Sequence, residues 1–142
     1  MRTHRQADTE TFVEVIRSAG VVSLSNSGVT SEQLLCPANS ESQRVTITRV
    51  TVAPGARSPR HTHAQSEQIR VALHGDARLL LGGSTTEPFH AGDVVPFVEG
   101  DVHGLENPGA EDFVYLAVTS PPIDFRPAYA TTWRESAGND AS

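Results

Sequence analysis

Lysine is absent from this 142-residue chain, and all 11 basic residues are arginine. Chemistry that runs through a lysine amine, whether a Schiff base or a P-loop, is therefore excluded. Cysteine is nearly absent as well. Cys36 stands alone, so no disulfide can form within the chain, and a thiolate metal site, which needs several sulfurs, is ruled out. With Leu34, Leu35 and Pro37 around it, Cys36 reads as a small buried hydrophobe at the end of an apolar segment. No apolar run approaches the roughly 18 residues of a membrane span. The polar N-terminal stretch has no apolar signal region, so a cytoplasmic protein without a membrane partner is expected. A formal net charge of −6 and the lack of any basic run make nucleic acid a poor partner.

What remains is a chain of ordinary apolar content, 37%, long enough for one domain (1–142) with its own core. Residues 8–19 read as a helix: Thr11 and Glu14 have capping-box spacing, Phe12, Val15 and Ile16 share a face, and Gly20 sits just past the end. Beyond them the pattern is strands and turns. Residues 44–53 are rich in β-branched side chains and stop at Pro54-Gly55. Strands are then expected at 68–74, 78–81, 93–98 and 112–119, parted by Gly75, Gly82-Gly83, Gly100 and Asn107-Pro108-Gly109. Short strands at this spacing predict an all-β sandwich or barrel. The polar tail beyond Trp133, about 134–142, is expected to fray.

His61 and His63 follow the Pro54-Gly55 break. On an extended chain they point the same way, about 6.5–7 Å apart, which lets both imidazoles reach one ion. Neutral imidazole suits zinc, iron, nickel and copper alike. The wider setting is more specific. Gly55, five residues, His61-x-His63, four residues, Gln68, six residues and Gly75 resembles the first motif of the cupin superfamily. Gly92, five residues, Val98-x-Gly100, two residues, His103, three residues and Asn107 resembles the second. The resemblance covers about residues 44–120.

It implies an antiparallel β-barrel of the cupin (jelly-roll) type with both motifs lining one pocket, and the short helix read at residues 8–19 would precede it. By the same resemblance His61, His63 and His103 are ligands of one divalent transition metal ion (Zn, Ni, Mn or Fe). Two positions depart from the pattern. Val98 stands where proline is usual, with Pro96 two residues earlier. The fourth ligand is usually glutamate, and here two residues compete. Glu67 fits the shorter spacing but leaves Gly75 one residue late; Gln68 keeps Gly75 in register. One step along a strand reverses the face, so only one of them can face the metal, and register favours Gln68. A neutral amide would leave the ion its full charge, and so make it a stronger Lewis acid than carboxylate would.

If Gln68 faces inward, Arg70, Ala72 and His74 share its side. Arg70 then enters the barrel near the metal, where a buried guanidinium needs an anion: a substrate carboxylate or phosphate, or an acidic residue of a neighbouring strand. Arg70 is one candidate catalytic residue and Tyr115, with Thr119 on the same late strand, offers a pocket hydroxyl, although core packing would explain it equally. His74 is expected at the rim and His90 in a loop. Phe89, Phe97, Phe113 and Phe125 read as packing. Ile69, Val71 and Leu73, on the opposite face from Gln68, need cover, either from a second copy in a homodimer or from the N-terminal helix.

Glutamine in place of glutamate is similar to the small metal cupins that process unsaturated uronate sugars. Their late-strand acid is missing here, where Ala117-Val118-Thr119-Ser120-Pro121 stands. A second likeness, to single-domain cupins of polyketide cyclisation, rests on size and the metal motif. The functional expectation is a metal-dependent enzyme acting without redox change on a small oxygenated substrate, by isomerisation, cyclisation or elimination. A non-haem iron dioxygenase and a non-catalytic ligand-binding cupin are the alternatives.

Overall fold

The computed structural model describes residues 6–7 and 12–133. Its strands are β1 (Gln6–Ala7), β2 (Phe12–Val13), β3 (Val22–Asn26), β4 (Val29–Leu35), β5 (Thr46–Val52), β6 (Arg57–His61), β7 (Glu67–His74), β8 (Asp76–Leu81), β9 (Thr86–His90), β10 (Val94–Phe97), β11 (His103–Glu106) and β12 (Phe113–Ser120), and a short helix, α1 (Arg126–Tyr129), follows. β1 and β2 form a two-stranded sheet of their own, a second sheet has six strands in the order β10-β7-β12-β5-β4-β3, and a third has four, β6-β11-β8-β9. All pairings are antiparallel. The two larger sheets form a jelly-roll sandwich: the strand pattern predicted the all-β architecture, and the cupin resemblance its jelly-roll type.

Alternation builds the core. Along β5 and β12 every second residue is buried, so Val50, Val52, Phe113, Tyr115 and Ala117 face inward against Leu79, Phe89 and Leu105. Phe89 and Phe113 lie with ring centroids 5.7 Å apart, close enough for an edge-tilted aromatic contact. Each fully buried side chain of this size contributes about 1.5–3 kcal/mol. Asn107, 1% exposed, ties the sheets' lower corner: its amide donates to Val52 O (2.9 Å) and Glu111 O (2.7 Å) and accepts from Gly109 N (3.0 Å). The asparagine of the second motif is thus a fully satisfied structural bracket.

The expected N-terminal helix is not found in the described residues. Phe12–Val13 pairs as a strand with Gln6–Ala7, residues 14–17 have no regular structure, and Ser18–Gly20 is one 3₁₀ turn. The Glu14 carboxylate, which a capping box would need, accepts instead from the amide of Glu41 (2.8 Å). Residues 8–11 of that expected helix lie outside the described residues, as does the tail from 134 onward. The outward row of β7 therefore has no helix laid over it there. Ile69 and Val71 are half-buried and Leu73 is exposed. Strands β3, β4, β6, β9 and β11 and helix α1 add to the five strands expected.

Candidate metal centre

Two neighbouring strands of the smaller sheet bring the three histidines together. His61 ends β6, His103 begins β11, and the antiparallel register sets them opposite each other. His63 lies two residues on, where its carbonyl accepts from Gly100 N (3.0 Å). That bond ties the loop after β6 to the loop before β11. The register breaks just beyond, between His103 and Leu105, where Gly104 lets the strands close up. A Cβ at Gly104 would sit 2.8 Å from Ser58 O and 2.9 Å from Arg60 N, distances that backbone atoms do not tolerate.

The three imidazole centroids are 4.4–4.9 Å apart, with the rings tilted by 57–66°. Their candidate ligand atoms all lie within 4.8 Å of one another. Each outer hydrogen bond sets a tautomer. His61 Nδ1–H donates to Pro59 O (2.9 Å), and His103 Nδ1–H to Asp101 O (3.0 Å). A carbonyl only accepts, so the proton is on Nδ1 and the lone pair on Nε2. Nε2 of His63 and of His103 is buried without a hydrogen-bond partner. An orphaned buried polar atom costs about 1–3 kcal/mol, and two of them converging on one point fit a metal ion. Burial, and then the charge of Arg70, hold His61 down at about 4 and His103 at about 2, against 6.5. His63 is lowered by the same two causes. All three are neutral at pH 7, the form that ligates.

Strand β7 supplies the rest. Gln68 and Arg70, each 3% exposed, point inward, while Glu67 is on the solvent side. Phe97 and Thr119 flank Gln68 in register on either side. The Gln68 amide donates through Nε2 to Thr119 Oγ1 (2.9 Å), and its Oε1 accepts from Arg70 Nε (2.8 Å). One lone pair of that oxygen remains. The Arg70 guanidinium lies 4.8 Å above the Tyr115 ring and 5.6 Å from that of Phe97, and Phe97 in turn stacks on His103 at 4.5 Å and 16°. Tyr115 thus meets the site through its ring. Arg70 NH1 is buried without a partner. The other sequence-expected histidines are elsewhere: His74 and His90 are exposed and paired with Glu111 (3.6 Å) and Asp76 (2.8 Å).

A cavity of about 420 Å³ opens over this floor, lined by His61, His63, Gln68, Arg70, Tyr129 and Trp133 among others. No aspartate or glutamate is among the described residues that line it. Its cover was not foreseen. Residues 125–133 fold back across the opening, with Phe125 edge-on to His63 (6.1 Å) and Tyr129 against Trp133 (5.1 Å). Asn26 holds them there, donating to Tyr129 O (3.0 Å) and Thr131 O (2.5 Å). Burial first, then Tyr115, raise the Tyr129 hydroxyl's pKa, so it stays a neutral donor. Cys36, expected buried, is a half-buried free thiol on a second cavity of about 540 Å³, which Phe125 separates from the first.

A two-sheet jelly roll with three neutral imidazoles converging in its mouth defines a small metal-site barrel. The cupin domain family matches residues 48–119, half of the chain, and the chain belongs to that family. Oxalate decarboxylase OxdC of Bacillus subtilis is 35% identical over 83 residues, 54% of this chain. The chain spans about a fifth (21%) of that curated relative's length. The crystal structure of a predicted oxalate decarboxylase from Thermotoga maritima is 26% identical, with a TM-score of 0.65 over 75% of this chain and 97% of that one. The polyketide cyclase RemF of Streptomyces resistomycificus is 21% identical, with a TM-score of 0.66 over 77% and 80% of the two chains; that likeness is one of fold.

Proposed function

We propose that this cupin is a metal-dependent enzyme that takes a small, oxygenated, carboxylate-bearing molecule and isomerises, cyclises or cleaves it without redox change. The observation that carries this reading is Arg70. Its guanidinium is buried with one nitrogen unpartnered, in a cavity with no lining acid among the described residues. Burying a cation without an anion is costly, so an anion that joins it is favoured, and a planar guanidinium fits a carboxylate. The oxalate decarboxylase relatives support a carboxylate by their names.

His61, His63 and His103 would hold the ion, with Gln68 Oε1 as the neutral fourth donor. When bound, the ion supplies a Lewis acid for a carbonyl or hydroxyl oxygen. Arg70 orients the substrate by its carboxylate, its plane fixed by Gln68 and by the Tyr115 ring. Phe125 and Trp133 exclude water, and the Tyr129 hydroxyl offers a neutral hydrogen-bond donor on the far wall. An iron-dependent oxygenase would use the same neutral donor set; oxygen uptake by the loaded protein distinguishes it.

Melting of the metal-loaded protein across carboxylates, neutral sugars and phenols tests the reading. Small carboxylates at 100-fold excess over Kd should raise the Tm by about 5–10 °C, and by much less in Arg70→Met. If neutral phenols or ketones stabilise best and Arg70→Met is indifferent, the pocket is not an anion site.

A further inference from the structure

We infer that Arg70 makes the metal and the anionic ligand bind cooperatively: its buried charge opposes a dication on the three histidines, and an anion on the guanidinium removes that opposition. The inference rests on the reading of Arg70 as the anion's seat, and it adds regulation of metal occupancy to it.

Three observations carry it. Arg70, His61 and His63 line one cavity, His103 packs against those two imidazoles at 4.4 and 4.9 Å, and two short links join the guanidinium to the triad. One runs from Arg70 through the Phe97 ring (5.6 Å) to the His103 ring stacked on it (4.5 Å). The other is the Gln68 oxygen that Arg70 holds at 2.8 Å. Second, Arg70 and His103, the two ends of the ring-stacked link, are 3% and 1% exposed, and like charges in so buried a setting repel far more than on a surface. Third, no acidic side chain among the described lining residues neutralises the guanidinium. The Tyr115 and Phe97 rings and one amide oxygen are its neutral company.

A charge that cannot be lost by deprotonation and is not paired by the described lining residues is met by a ligand. Until it is, the triad holds its ion weakly. Because coupling between two ligands is reciprocal, the metal strengthens anion binding by the same factor, on the order of tenfold. The pocket thus loads ion and substrate together.

The experiment is zinc affinity, measured by competition with a chromophoric chelator, with and without saturating acetate, and with acetamide as the neutral isostere. In the wild-type protein acetate should tighten zinc about tenfold, and acetamide should not. Arg70→Met should bind zinc about tenfold more tightly than wild type in the absence of any anion, and acetate should add nothing. Arg70→Lys keeps the charge and should behave like wild type, which distinguishes charge from mere release of the Gln68 oxygen. If Arg70→Met binds zinc no more tightly, while carboxylates still stabilise the wild type against heat, the coupling is wrong and the anion site stands. An acetate effect that persists in Arg70→Met places the carboxylate on the ion itself, and also overturns the coupling. If acetate leaves wild-type zinc affinity unchanged and stabilises nothing, the anion reading falls and the coupling with it. The wild-type comparison needs no variant, so a misfolded Arg70→Met leaves the test intact.

Discussion

Histidine occupies two ends of this barrel in two opposite ways. At one end His61, His63 and His103 turn inward, two of them donate only to backbone carbonyls, and no acid is near among the described lining residues. At the other, His74 and His90 stand in solvent beside Glu111 and Asp76. The residue type is the same, yet the chemistry differs because of what each imidazole is offered. A carbonyl partner and burial fix a neutral ring with a free lone pair. A carboxylate partner in water makes an ordinary surface pair worth about 0–1 kcal/mol.

The largest test of that contrast is deletion at each end. His103→Ala should abolish stoichiometric metal with the β-sheet spectrum kept, whereas His90→Ala should leave metal content unchanged and stability within about 0.5 kcal/mol. Metal analysis and circular dichroism check both; metal retained in His103→Ala would remove the centre.

Acid comes next. His61 protonates near 4 and His103 near 2 in the folded chain, against about 6.5 when unfolded. Between those values the unfolded state binds more protons, so stability falls as pH falls below 6.5. From pH 7 to pH 5 the metal-free protein should lose about 2 kcal/mol for each of the two histidines. Denaturant midpoints at the two pH values measure it, and His103→Ala should lose less.

Gly104→Ala should act through the backbone. Its methyl would force β6 from β11 at Ser58 and Arg60, and overpacking of that kind costs about 1–3 kcal/mol. Because His61 rides on β6, zinc affinity should fall along with stability, a pairing that chelator competition and denaturant melts resolve. A variant that loses stability with unchanged zinc affinity would free His61 from that strand contact. The smallest effect separates neighbours: Gln68→Ala should weaken metal affinity severalfold, and Glu67→Ala, on the solvent side, should not. The reverse ranking would make the carboxylate the ligand.

These sites differ in how far the amino-acid pattern announced them. His61-x-His63 was legible because its geometry is local, two steps along an extended chain. Gln68 over Glu67 followed from strand period and Gly75, again local, and the structure turns Gln68 inward. The helix expected at 8–19 failed because amphipathic spacing does not say where Glu14 finds its donor, which is the amide of Glu41. Whether Arg70 meets an acid depended on strands distant in sequence, and so did the stacking of Phe97 on His103. The cover formed by Tyr129 and Trp133 left no signal at all. It is positioned by Asn26, 103 residues before Tyr129.

That cover draws the pocket from two parts of the chain. The triad, Gln68 and Arg70 all lie within residues 48–119, the part held in common with the cupin domain family. Ser31, Phe125, Tyr129 and Trp133, which also line the cavity, lie outside it. The three imidazoles thus stand on the part of the chain that the family model matches, and the ceiling over them is built from residues outside that span. Exchanging residues 121–133 for another sequence should therefore change which small molecules stabilise the protein while zinc affinity stays the same.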